Sequence, residues 1–68
     1  MSAFRTVIHR RVVVNMLSGR AIEGVLVRQS GPLLHVKDAR LHEPGADPAP
    51  VDGEVVIERS QVDFIQAL

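Results

Sequence analysis

The histidines His9, His35 and His42 are the side chains of this sequence that could change charge near neutral pH. Asp38 and Glu43 lie close enough to two of them to suggest a metal site. Their spacing matches no compact ligand motif, so they are expected to be exposed loop and strand histidines, with no metal and no cofactor. Cysteine is absent, which excludes disulfides, thiolate metal sites and thiol catalysis. The sequence contains no Ser-His-Asp order, no glycine-rich phosphate loop and no pair of carboxylates in an apolar setting. Neither enzyme activity nor a small-molecule substrate is expected. Arg10 and Arg11, with Arg5 and His9 nearby, form the best candidate basic patch, able to contact phosphate or an acidic protein surface. Phe4 is the one aromatic beside them, so a stacking platform for single-stranded nucleic acid is poorly supported.

These residues must be held by a small scaffold. The chain has 68 residues, of which 46% are apolar, which suits one globular domain and not a disordered tail. A domain of this size buries only about 60% of its unfolded surface and is expected to be marginal alone. Without disulfides or metal, oligomerisation is the remaining support. The net charge is zero but unevenly spread: residues 1–40 carry seven basic and two acidic side chains, and residues 41–68 one basic and six acidic. Either the halves neutralise each other within the fold, or the acidic half of one copy meets the basic half of the next. Seven of the eight basic residues are arginine, whose planar fork suits interfaces and phosphates. The longest apolar runs are far short of the roughly 20 residues that span a bilayer, and Met1-Ser2-Ala3-Phe4-Arg5 lacks a signal-peptide core. A cytoplasmic product, or one incorporated into a particle assembled there, is expected.

Eleven valines and four isoleucines favour strands over helices. Turn residues divide the chain into a strand at 12–17, a Ser18-Gly19 turn, and a long strand at 20–29 interrupted by Gly24. After Ser30-Gly31-Pro32 comes a third strand at 33–41, with Leu34 and Val36 on one face and His35 and Lys37 on the other. Residues 42–53 hold three of the four prolines and two of the five glycines, and read as a flexible loop that adds little to the core. A fourth strand follows at 54–59 and a fifth at 61–67. Residues 1–10 form an N-terminal segment open to either a short helix or an early strand. The expected fold is all-β: a strongly bent, five-stranded, SH3-like barrel over residues 11–68.

Laid out this way, the chain resembles the Sm and Sm-like family. The first signature reads Val12-x-Val14-x-x-x-x-Gly19-x-x-Ile22-x-Gly24-x-Leu26, followed by Leu34-x-Val36-Lys37-Asp38-Ala39. The second runs from Gly53 through Val55-Val56-Ile57-Glu58-Arg59 to Val62-Asp63-Phe64-Ile65. The resemblance spans roughly residues 11 to 66. It implies rings in which the fourth strand of one subunit pairs with the fifth of its neighbour. The RNA-binding members of that family place an Asp and an Asn around the start of the third strand, and Arg-Gly after the fourth. Here Ser30 and Gly31 stand near the Asp position, Leu33 replaces the Asn, and Glu58 and Arg59 occupy the Arg-Gly positions. Leu33 offers no hydrogen bond to a base edge, and Glu58 would repel phosphate.

The expected function is a non-enzymatic barrel that self-associates into a ring-like homo-oligomer. Its role would be that of a structural or adaptor part of a larger protein assembly, of the kind found in phage or bacterial particles. The expected interface is Val55, Val56, Ile57, Val62, Phe64 and Ile65. The closing strands are apolar on both sides of the pleat in places, and one barrel interior can cover only one side. The alternative is an RNA-binding ring of the chaperone type that uses Arg5, Arg10, Arg11 or Arg59 in place of the usual pocket, with weak and unselective affinity.

Overall fold

The computed structural model describes residues 4–68. After a single 3-10 turn at Arg5–Val7 come six strands: β1 Arg11–Met16, β2 Ala21–Ser30, β3 Leu33–His42, β4 Ala49–Val51, β5 Val55–Glu58 and β6 Val62–Ala67, with a second 3-10 turn at Arg59–Gln61. All pairings are antiparallel, in the order β4-β3-β2-β1-β6, and β5 lies beside the first half of β3. Side chains alternate across the pleat, so every second residue points inward. Val12, Val14, Leu26, Leu34 and Val36 are fully buried, and Ile22, Ala39 and Ile57 nearly so.

One sharp bend in the β2–β3 hairpin curls this sheet into a barrel. The pairing runs Glu23 with Arg40 and then Val25 with Lys37, so Asp38 and Ala39 together oppose Gly24. A Cβ at residue 24 would lie 2.6 Å from Val36 Cγ1 and 2.7 Å from the Lys37 carbonyl oxygen, which explains the glycine. Asp38 takes up the bend at φ 51°, a left-handed conformation that Asp tolerates better than most residues. The Gly24 and Lys37-Asp38-Ala39 motifs are thus two sides of one backbone bend. A second register shift between Leu26 and Arg28 adds to the twist.

The structure corrects two expectations and decides one that the sequence left open. The barrel has six strands, not five: β3 continues to His42, and Ala49–Val51, inside the expected loop, pairs with residues 39–41. The prolines that suggested a loop are compatible with a strand here because β4 is an edge, where Pro50 leaves no ladder bond unmade. Residues 43–50 are exposed, whereas Val51 leans on the core. Second, the outer face of β3 is not uniformly solvated, since His35 is only 7% exposed. The N-terminal segment, left open between helix and strand, holds one 3-10 turn among its described residues. The segment docks through His9 N–H to the Leu26 carbonyl (2.6 Å) and Leu26 N–H to the Arg10 carbonyl (3.1 Å), with Phe4, Val7 and Ile8 packed on the core.

Candidate functional site

Strands β5 and β6 follow each other in the chain with only Arg59–Gln61 between them, yet β6 ends the strand order while β5 lies off it, on the far side of β3. β5 is bonded to β3 and β6 to β1, and neither has a partner strand on its other side among the described residues. The barrel is therefore open along two edges, each offering unpaired backbone groups. Val56 lies opposite His35, and Phe64 opposite Asn15, on the face turned away from Leu34, Val36 and Val14. Each free edge thus carries one large apolar residue on the outer face, Val56 at 51% exposure and Phe64 at 53%.

Of the six residues expected at an interface, only these two stand clear of the barrel. Val55, Val62 and Ile65 are half-buried and lean on the core, within reach of the edges. Ile57 is 4% exposed and belongs to the core, because it points inward opposite Leu34; its side chain is not a contact surface. A cleft flanks each edge. One, of about 390 Å³, is lined by Met16, Leu41, Val51 and Val55, with Arg20 and Glu58 at its wall. The other, of about 350 Å³, is lined by Phe4, Val7, Val62 and Phe64, with Arg59 and Asp63.

The charge asymmetry takes an unexpected form. Strands β1 to β3, from the basic half, form the middle of the sheet, while β4, β5 and β6, from the acidic half, supply both edges. The halves do not lie end to end, so a head-to-tail contact cannot simply set one half against the other. Between them runs one ion pair among the described residues that joins an arginine to a carboxylate, Arg28 to Glu54 at 3.7 Å.

The histidines are dispersed. The buried His35 places Nδ1 2.5 Å from Glu54 Oε1 and leaves Nε2 without a partner. The His35 hydrogen bond, with Arg28 nearby, holds the Glu54 carboxyl below its ordinary value against a smaller opposing effect of burial. His42 Nε2 lies 3.0 Å from Glu23 Oε1, whose other oxygen is 3.5 Å from Arg11 Nη1. His9 is exposed, with φ 66°. Among the described residues no three His, Asp or Glu side chains gather in a way that could hold a metal ion.

Nor do the candidate arginines form one patch. Arg10 Nη2 donates to the Leu68 carbonyl at 3.2 Å, Arg11 faces Glu23, and the Arg59 guanidinium sits 5.7 Å from the centre of the Phe4 ring. Arg5 lines a third cleft, of about 310 Å³, together with Arg28, a residue that sequence reasoning missed because 23 positions separate the two. Leu33 and Glu58 prove to be direct partners across β3 and β5, and the Arg59 N–H donates to the Pro32 carbonyl at 2.7 Å. The two departures from the family's base-binding pattern therefore meet at one spot, an aliphatic side chain beside a carboxylate.

No family model matches the chain, and no curated protein does. Among solved structures it is similar to a heptameric archaeal Sm protein, with a TM-score of 0.81 over 96% of this chain and 94% of that one, at 23% identity. The fold is Sm-like. Among the described residues no helix is long and apolar enough to cross a membrane.

Proposed function

We propose that this Sm-like barrel is a non-enzymatic assembly module. Its copies associate head to tail through β5 and β6 into a ring, which serves as a structural or adaptor part of a larger protein assembly. The observation that carries this reading is the pair of open edges with Val56 and Phe64 exposed on the same face of the sheet. Adding β6 of one copy to β5 of the next would satisfy both rows of backbone groups and bring Val56 beside Phe64. The heptameric state of the similar archaeal Sm protein supports closure into a ring.

Sedimentation of the unmodified protein at micromolar concentration, with and without RNA, tests the reading. A discrete multimer in the absence of RNA is expected, and a monomeric mass would overturn it. Because the chain lacks cysteine, a mixture of Val56→Cys and Phe64→Cys proteins gives a second test: oxidation should join one copy of each.

A second reading, an RNA-binding ring, is favoured by Arg5 and Arg28 sharing one cleft beside the N-terminal segment. Against it stands the Leu33–Glu58 pair where a base would be gripped. Binding of oligo-A and oligo-U at physiological salt should therefore be weak and without preference. Tight, homopolymer-specific binding would reverse the order of the two readings.

A further inference from the structure

We infer that the two clefts beside the free edges are the two halves of one interface between copies of this chain. Two intermolecular ion pairs would set its register, Arg20 with Asp63 and Glu58 with Arg59. This inference rests on the self-association reading and goes beyond it by naming which charges meet. Each cleft carries one acid and one base: Arg20 and Glu58 beside β5, Arg59 and Asp63 beside β6. None of the four has an opposite charge to pair with in its own chain among the described residues. The ion pairs there join Arg11 and His42 to Glu23, and Arg28 and His35 to Glu54.

Strand direction decides which charges meet. In antiparallel addition the end of β5, at Glu58, lies against the start of β6, where Arg59 and Asp63 stand. Glu58 then meets Arg59 of the next copy, and Asp63 of that copy meets the wall that holds Arg20. Parallel addition would instead set Glu58 against Gln66 and Ala67, which carry no charge. A two-fold contact of β5 with another β5 would bring Glu58 towards Glu54, a like charge. The charge pattern thus selects the head-to-tail, antiparallel contact, which closes into a ring or runs on as a filament. Such rim pairs add little affinity and act mainly on register and partner choice.

Charge reversal gives the test, read as the concentration at which the multimer half-dissociates in low salt. Asp63→Arg should raise that midpoint about tenfold, and adding Arg20→Asp to it should restore the midpoint to within about threefold. Raising the salt should bring the single and double variants together. The reciprocal pair Glu58→Arg and Arg59→Glu provides a second, independent cycle. An unchanged midpoint for Asp63→Arg, or a double variant no tighter than the single, overturns the inference. If Val56→Lys still dissociates the multimer in that case, self-association stands and only the ion pairing falls. If the unmodified chain is monomeric throughout, both fall together.

Discussion

The β2–β3 hairpin and the closing strands β5 and β6 are both built from segments in which apolar residues recur, but end in opposite situations. In the hairpin each inward apolar residue finds its place within the chain, and the bend at Gly24 is filled by Val36 and the Lys37 carbonyl. At the closing strands the same alternation buries Ile57 but leaves Val56 and Phe64 half in water. A sheet that bends this sharply encloses a core on one face only. The hairpin is therefore bound to affect folding, while the edge strands are free to affect association.

That contrast can be broken at either end. Gly24→Ala should act on the fold and produce the largest effect. Its Cβ would press on backbone as well as on a side chain, costing about 3 kcal/mol and lowering Tm by about 12 °C or more in a thermal melt. Val56→Lys should do the reverse. It should weaken self-association about a hundredfold in sedimentation, while the monomer's stability stays within about 0.5 kcal/mol of the original. A loss of folding in Val56→Lys would show that the edge is part of the core after all.

The β3–β4 connection sharpens the comparison, because it contains both kinds of segment. Replacing the exposed residues 43–48 by a tight turn should cost less than about 1 kcal/mol in a denaturant titration, since closure entropy varies slowly with length. Extending the deletion through Ala49–Val51 should cost about 1–2 kcal/mol more, because it removes the pairing with β3 and the partial burial of Val51.

The smallest effect concerns Glu54, which ties the start of β5 to β2 and β3. Its carboxyl is held below its ordinary value, chiefly by the His35 hydrogen bond. The stability it supplies is therefore complete above the ordinary carboxylate value and is lost as pH falls through the lowered one. Melting curves of Glu54→Gln should approach those of the original protein at the acid end and lie slightly below them near neutrality. A constant difference at all pH values would show that Glu54 ionisation is not involved.

Much of the barrel could be read from the chain. Val12, Val14, Leu34 and Val36 announce an inward face by their alternation, and Gly24 with Lys37-Asp38-Ala39 carries the bend in residue types that few other backbone conformations require. Strand β4 could not be read, because its prolines describe a loop until β3 is present to pair with it and its outer side is known to be an edge. His35 was misplaced for a related reason. Alternation assigns it to the polar face, but alternation says nothing of what packs over that face. Which residues of the closing strands stay exposed was not legible: Ile57 and Val56 are adjacent in sequence and both apolar, and only the register with β3 sends one inward and the other out.

The sequence by itself determined an all-β chain with no cysteine chemistry, a bend at Gly24 and more apolar strand surface than one small barrel can bury, since residue type and period-two spacing are local properties. The tertiary structure decided that residues from both chain halves mix so that the acidic half forms both edges, that Leu33 meets Glu58, and that Arg20, Glu58, Arg59 and Asp63 lie beside two clefts with no opposite charge paired to them among the described residues. These are facts of strand order and register. They follow from which strands find each other across dozens of residues, and no local pattern encodes that.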